Sequence, residues 1–355
     1  MPTPDSRALA RALLRHFDAH RRAMPWRETA DPYGIWVSEI MLQQTRVDTV
    51  IPYWERWMAR FPTVDALAEA DRDEVLKEWE GLGYYSRARN LHAAARMVRE
   101  RHGGALPRRP AELRELPGIG EYTAGAVASI AYGVAAPAVD GNVRRVLARL
   151  YDLEDPRGAG LRDRAAALVP ADRPGDFNQA LMELGATVCT PRSPSCGDCP
   201  IAGWCEARRR GVQERRPLPK QRKALPEETV RTLVAVRGDG AILLARRPPH
   251  GLLAALWEFP GEPLAGAAAE ALAGAEPVAA TRLRPVRHTF SHKRVTYRPE
   301  VVRVDGSAGS GDDPAVAAPD GGDAAWVLPA HLDAFALPVA QRKIAAQLMD
   351  VLPIP

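Results

Sequence analysis

Cysteine is scarce in this chain. There are four in 355 residues, and all four fall between Cys189 and Cys205. A secreted protein stapled by disulfides spreads its cysteines through the sequence, so that class is excluded. One short segment holding every thiol implies a single metal site. Long apolar runs are missing as well. No stretch approaches the ~20 apolar residues that cross a bilayer. The opening MPTPDSRALARALLRHF holds no apolar segment long enough for a signal peptide. Both absences predict a soluble protein with no membrane partner. A large excess of one charge is also lacking: the net charge is +4 and the pI about 9.0. That balance permits a polyanionic partner without requiring one. Lysine is rare, limited to Lys77, Lys220, Lys223, Lys293 and Lys343.

At roughly 150 residues per domain, this length predicts two domains, and an apolar fraction of 46% supports a core in each. Residues 1–206 read as mostly helical. Leu9, Leu13, Leu14 and Phe17 recur at helical spacing, as do Leu67, Val75, Leu76 and Trp79. Asp31-Pro32 and Leu106-Pro107 mark loops. Residues 207–227 carry Arg208, Arg209, Arg210, Arg215, Arg216, Lys220, Arg222 and Lys223 around Pro217 and Pro219. They predict a basic, solvated linker that is also able to meet nucleic-acid phosphates. From residue 228 to 355 the period shifts to strand-like alternation. Val230, Thr232, Val234 and Val236 alternate, and Ala241–Ala245, Tyr297–Val304 and Ala325–Leu328 are further strand candidates. Ala267–Leu272 and Val339–Leu348 look helical. This half predicts an α+β domain, with Gly306–Asp323 as a flexible surface loop.

The gaps between Cys189, Cys196, Cys199 and Cys205 are six, two and five residues. Four thiolates suit either Zn²⁺ or a [4Fe–4S] cluster, and the chemistry alone leaves both open. Only one gap is the short knuckle common in zinc sites. The spacing resembles the iron–sulfur loop of the endonuclease III family. That resemblance implies a [4Fe–4S] cluster with a structural or redox-sensing role, since four protein ligands leave no open position for substrate. It also implies that Pro191, Arg192 and the arginines after Cys205 form a positive loop beside DNA.

Leu116-Pro-Gly-Ile-Gly120 lies between two helix candidates, one ending over Glu112–Leu116 and the next over Tyr122–Ala131. Gly118 and Gly120 predict positive φ and close backbone approach, and amides at the second helix start suit an anion. An ordinary αα-turn with glycine caps is the plain alternative. The stretch at about 111–132 resembles the helix-hairpin-helix motif. The resemblance implies a grip on a DNA phosphate and a monovalent cation at the turn.

Asp140 stands in Ala-Val-Asp-Gly-Asn142, where an Asp before Gly is ordinarily a turn or a helix cap. Glu39 stands in Trp36-Val-Ser-Glu-Ile-Met-Leu-Gln-Gln-Thr45. An acid in such apolar surroundings is either on a surface or, if buried, paired or protonated. These strings together resemble the adenine DNA glycosylase family of the helix-hairpin-helix superfamily. The resemblance implies that Glu39 is a general acid at adenine N7 and that Asp140 stabilises the oxocarbenium-like sugar. Asn142 would orient Asp140 or the attacking water. Paired carboxylates in unlike environments are how sugar bonds are commonly cut. Endonuclease III-type enzymes place a lysine at the position of Tyr122. A tyrosine forms no imine, which implies a monofunctional enzyme, with Tyr122 free to hydrogen-bond Asp140 or the sugar.

A paired base must be turned out of the helix before it reacts. Gln43, Gln44 and Tyr84 resemble the family's wedge positions, and Trp26 and Arg27 its adenine-pocket rim. Trp257-Glu-Phe-Pro-Gly261 resembles a Nudix-type domain that lacks the run of carboxylates Mg²⁺ needs, so no nucleotide hydrolysis is expected of it. His288-Thr-Phe-Ser-His292 resembles the loop that inspects 8-oxoguanine, with His288, Phe290, Ser291 and His292 as its reading residues. The fold implied is multidomain: an all-α glycosylase domain with an iron–sulfur loop, then an α+β Nudix-like domain. The partner implied is double-stranded DNA carrying A:8-oxoguanine or A:G mispairs, bound by a monomer in a bacterial-type, nucleoid-associated cytoplasm. Two alternatives stand beside it: an endonuclease III-like glycosylase and lyase acting on oxidised pyrimidines, and a non-catalytic DNA-damage binder.

Overall fold

The computed structural model describes residues 5–157, 160–219, 224–305 and 322–351. The chain divides into two compact units, Met1–Glu69 with Asn90–Gln221, and Ala70–Arg89 with Arg222–Pro355. The helices up to the cysteine segment are α1 (Ser6–His20), α2 (Pro32–Met41), α3 (Val47–Arg60), α4 (Val64–Glu69), α5 (Arg72–Glu78), α6 (Ser86–His102), α7 (Pro110–Leu113), α8 (Glu121–Tyr132), α9 (Gly141–Leu150), α10 (Gly160–Ala166) and α11 (Pro174–Thr187). A short α12 (Glu206–Arg209) follows the cysteines. Among the described residues no helix is long and apolar enough to cross a membrane.

In the first unit, α1 starts on Asp5, whose carboxylate accepts from the amides of Arg7 and Ala8. Its apolar stripe of Leu9, Leu13 and Phe17 packs with Val146, Leu147, Phe177, Leu181 and Leu184. The central helix is α11, which packs on α1, α8 and α9. Cys189, Cys199 and Trp204 lie against this same core. Helix α2 behaves differently: every residue from Tyr33 to Met41 is buried. A helix apolar on all sides has no solvent face and goes inside, and it takes Glu39 with it. The chain between α8 and α9 is fixed by buried Asn178, whose Oδ1 accepts from Ala138 N at 3.1 Å while its Nδ2 donates to Ser129 Oγ and Ala136 O, both at 2.8 Å.

The second unit is a seven-stranded mixed sheet. Its strands are β1 (Glu227–Arg237), β2 (Ile242–Arg246), β3 (Trp257–Glu258), β4 (Glu276–Arg282), β5 (Val286–Thr289), β6 (Arg294–Asp305) and β7 (Ala324–Val327). The order is β3-β2-β1-β6-β4, with β5 on β6 and β7 on β2, and the β1/β6 pair is parallel. Two helices accompany it, α13 (Gly266–Ala271) and α14 (Val339–Met349). The core joins Val234, Ile242, Leu244, Trp257, Phe259, Phe335 and Ile344.

Two boundaries differ from the sequence reading. Residues 206–219 do not leave the first unit as an extended linker. Asp152 draws Arg216 (2.6 Å) and Arg210 (3.1 Å) onto it, and Leu218 N donates to Glu154 O. Residues 70–89 belong with the C-terminal sheet. Asp73 receives Arg246 Nη1 at 2.6 Å, and Arg89 Nη1 donates to Ala254 O at 2.9 Å. These are contacts between residues over 160 positions apart, which no local pattern reveals. Lys220, Arg222, Lys223 and most of the Gly306–Asp323 loop lie outside the described residues.

Replacing Asn178 by Ala strands two main-chain groups, Ala138 N and Ala136 O, in the interior, while Ser129 Oγ keeps its bond to Ala126 O. At ~1–3 kcal/mol for each buried unsatisfied group, we expect Asn178→Ala to lower stability by at least ~2 kcal/mol. A thermal unfolding midpoint within a degree of the parent's would contradict the role given to this side chain.

Candidate active site

Glu39, Tyr122 and Asp140 reach one cavity of about 400 Å³. Glu39 comes from α2 and is only 5% exposed. Tyr122 stands in the first turn of α8 and donates its phenolic hydrogen to Glu39 Oε2 at 2.5 Å; it also lies 3.2 Å from Met182 Sδ. The tyrosine therefore engages Glu39, a partner beyond the two expected of it, Asp140 and the sugar. The reason is burial, because the phenol and the carboxyl are the polar groups that most need each other in this apolar pocket.

Asp140 is the N-cap of α9, which is the plain helix-cap reading, and it also lines the cavity. Its Oδ1 accepts from Val143 N at 2.6 Å, and its Oδ2 accepts from Asn142 Nδ2 at 3.1 Å. Asn142 Oδ1 in turn accepts from Arg145 Nη2 at 3.0 Å, and Arg145 donates onward to Gly185 O and Cys189 O. Gly185 is required there, since a Cβ would sit 2.6 Å from Asn142 Cβ. A chain of hydrogen bonds thus runs from the Asp140 carboxylate to the first cysteine of the metal loop.

The two carboxyls differ in their surroundings. Burial pushes Glu39 up to about 7, helped by the nearby charge of Asp140, while the Tyr122 hydrogen bond and Arg27 restrain it. Burial also raises Asp140, but the amides of Val143 and Asn142 and the charge of Arg145 oppose the rise. The positive end of α9 adds to that opposition. The site can hold a proton on one carboxyl and an anion on the other.

Trp26 and Arg27, in a 3₁₀ turn at Pro25–Arg27, line the cavity. Trp26 rests edge-on against Trp54 at 6.0 Å. Arg27 bonds Gln179 and Glu183, each at 3.0 Å. The sequence reading missed the α11 wall, made by Gln179, Met182, Glu183 and Ala186. Their i, i+3, i+4, i+7 spacing is visible in the sequence, yet it reads as one more packed helix face. Burial works to raise Glu183, but Arg22 and Arg27 outweigh it and hold the carboxyl below its ordinary value. Gln43 donates to Thr123 Oγ1 at 3.2 Å, and Gln44 is exposed with φ +60°. Tyr84, in the second unit, is 50% exposed with φ +48°.

In the hairpin, the first helix is a single turn (α7) and the second is α8. Of the two glycines only Gly118 has positive φ, +77°, and a Cβ there would meet Asn90 at 2.7 Å. Gly120 is extended and caps α8, with open space where a Cβ would go. In the second unit His288 lies within β5, paired with Val295 of β6, while Phe290, Ser291 and His292 lie in the turn joining β5 to β6, closed by Phe290 N donating to Lys293 O. Ser291 and His292 are exposed there, while the Phe290 ring packs on the core.

Cys189, Cys196, Cys199 and Cys205 surround one small cavity with Arg149 in its wall. Among the described residues no three Cys, His, Asp or Glu side chains converge closely enough to share a single ion. Four sulfurs spread around a common space fit a cluster better than one zinc. Burial pushes Cys199 up to about 11 and raises Cys205, with the neighbouring cysteines adding to both. The iron of a cluster supplies the positive charge that lets such thiols ionise. Arg149 ties the loop down, donating to Cys189 Sγ at 3.2 Å and to the carbonyls of Thr190 and Pro191.

Two outcomes are expected. Glu39 has a folded-state value near 7, above its ordinary 4.5, so its contribution to stability is full below ~4.5 and is lost as pH rises through 7. The Glu39→Gln protein should therefore gain on the parent between pH 5 and pH 8, on the order of 3 kcal/mol. Parallel pH–stability curves for the two proteins would refute the shift. The purified protein should also be brown, with the broad visible absorption of iron–sulfur charge transfer, bleached by chelation. A colourless protein containing zinc alone would refute the cluster.

Comparison with known proteins agrees with this geometry. Residues 37–170 match the HhH-GPD superfamily of base excision DNA repair proteins, residues 189–205 the iron–sulfur binding domain of endonuclease III, and residues 231–347 the NUDIX domain. The adenine DNA glycosylase of Homo sapiens is 40% identical over 403 residues, covering 94% of this chain and 72% of that protein. That of Rattus norvegicus is 40% identical, covering 85% and 72%. Among solved structures, a thermostable thymine-DNA glycosylase is 31% identical at a TM-score of 0.54, covering 58% of this chain and 97% of that one. An endonuclease III solved with DNA shares the fold at a TM-score of 0.52 and 23% identity, covering 60% and 99%. By sequence, domain content and fold, the chain belongs to the adenine DNA glycosylase family.

Proposed function

We propose that this chain hydrolyses the N-glycosidic bond of adenine paired with 8-oxoguanine, or with guanine, in double-stranded DNA. It acts as a monomer on nucleoid DNA in a bacterial-type cytoplasm, and it leaves the abasic strand unbroken. The observation that carries the reading is Glu39, a buried carboxyl pushed up to about 7 in the same cavity as Asp140. A general acid works best with a value near the working pH.

On this reading the adenine is turned out of the duplex, at a cost of a few kcal/mol, and enters between α2, α9 and α11. Glu39 gives its proton to N7. The C1′–N9 bond breaks, its electron pair leaves with the base, and Asp140 shelters the positive sugar until water adds at C1′ and gives its proton to the Glu39 carboxylate. Asn142 holds Asp140 in place. Tyr122 keeps the Glu39 proton oriented, and without an amine there it forms no imine. Trp26 and Arg27 border the base, Gln43 and Gln44 fill the space it leaves, and Tyr84 is the second unit's own wedge candidate. Amides at Gly118–Gly120 grip a phosphate, with a monovalent cation at the turn. Four cysteines hold the [4Fe–4S] cluster, which stabilises its loop beside DNA. His288, Phe290, Ser291 and His292 read the opposite base.

In a single-turnover assay on an A:8-oxoguanine duplex, the parent should release adenine and show strand breaks only after alkali. Glu39→Gln should lose at least ~10² to 10⁴-fold in base release while still binding the duplex; turnover within tenfold of the parent's would defeat the assignment. Ser291→Ala combined with His292→Ala should lower the preference for A:8-oxoguanine over A:T by about tenfold, consistent with ~1–3 kcal/mol per base contact. An unaltered preference would remove this turn from the reading of the opposite base.

A further inference from the structure

The chain that follows the cysteines is fastened back onto the metal loop. Arg210 and Arg216 hold it to Asp152, and the main-chain oxygen of Arg216 accepts from Arg149 Nε at 3.1 Å. The same Arg149 donates to Cys189 Sγ. Midway between Arg210 and Arg216, a 3₁₀ turn at Gln213–Arg215 places Gln213 in the wall of the cavity that the four cysteines surround.

The Oε1 atom of Gln213 is buried and has no hydrogen-bond partner among the described residues. An oxygen is the wrong atom for that place. The loop's sulfurs receive donors: Arg149 on Cys189, the Ile201 amide on Cys199, and the amides of Ala207 and Arg208 on Cys205. Thiolates and inorganic sulfides are all acceptors, so an oxygen aimed among them stays unpaired, at a cost of ~1–3 kcal/mol. The oxygen and the NH₂ of a primary amide have nearly the same shape, and the hydrogen-bond partners decide which end faces inward. With its amide turned over, Gln213 presents N–H donors to the sulfurs. Its oxygen, on a residue that is only partly buried, is then left to water.

We propose that Gln213 is a positioning residue for the cluster, donating an amide N–H to one of its sulfurs and thereby raising its reduction potential and slowing its loss. The proposal rests on the iron–sulfur reading of the four cysteines. A hydrogen bond to cluster sulfur favours the more negative, reduced state, and such bonds are among the levers by which a protein sets a cluster's potential. The segment that the sequence presents as a basic linker thus contributes a side chain to the cofactor's surroundings.

The experiment is film voltammetry on the full-length, cluster-loaded protein, with the electrode supplying and removing the single electron. Gln213→Leu deletes the donor at similar size. Gln213→Glu keeps the shape but, once ionised, puts acceptors at both ends. At the parent's midpoint potential, Gln213→Leu should lower the ratio of reduced to oxidised cluster at least threefold. Gln213→Glu should lower it tenfold or more, equivalent to ~59 mV for a one-electron couple. Under a chelator in air, both variants should lose their visible absorption at least threefold faster than the parent. Circular dichroism and the unfolding midpoint report whether each fold survives; if Gln213→Leu does not fold, the isosteric Gln213→Glu decides alone. A brown variant whose potential and bleaching rate equal the parent's overturns the proposal and leaves the cluster reading standing. A colourless parent overturns both.

Discussion

Glu39 is held in a helix that has no wet side. Because α2 is buried from Tyr33 to Met41, its single acid must live in a poor solvent for charge, and the cheapest answer is to keep its proton. Most of the first unit serves that condition. Tyr122 gives the carboxyl a hydrogen-bond partner without supplying a full counter-charge, which restrains the rise that burial causes without cancelling it. Asp140 raises Glu39 further by standing in the same cavity as a like charge. Meanwhile the start of α9 supplies amides that oppose the rise burial causes in Asp140. Two like side chains meet two different surroundings because of where the backbone ends and begins.

Arginine dominates the supporting structure, and lysine is almost absent. The difference matters physically. Arg145 spans Asn142, Gly185 and Cys189 with one side chain, and Arg149 collects four carbonyls and a sulfur. Arg27 bridges Gln179, Glu183 and the Arg22 carbonyl. A planar fork with five donors makes such multiple contacts possible, whereas an ammonium on a flexible stem does not. The loops around the cavity and the cysteines have little regular structure of their own, and these forks take its place.

Much of this was legible in the sequence for definite reasons. Apolar spacing gave away α1 and the strands β1, β2, β6 and β7, because a 3.6 or a 2 period is a direct imprint of a buried face. The four cysteines and the Leu116–Gly120 turn were legible because few residue types fit such positions. The α11 wall was not, since Gln179, Met182 and Glu183 follow the same stripe as an ordinary core helix. Strands β3, β4 and β5 were also missed; β3 has two residues, and β4 is exposed along its whole length, so neither carries a period. The Tyr122–Glu39 bond joins positions 83 apart in the chain, and only the packing of α2 on α8 brings them together.

The assignment of residues 70–89 to the C-terminal sheet has a consequence for synthesis on the ribosome. Asp73 finds Trp257 184 positions later in the chain, and translation at ~5–20 residues per second delivers that partner on the order of ten to forty seconds after Asp73 itself. During that interval this segment lacks the partners that Arg246, Ala254 and Trp257 later supply. Nascent chains of this enzyme therefore carry an exposed internal stretch that a chaperone is well placed to shield until the last strand emerges.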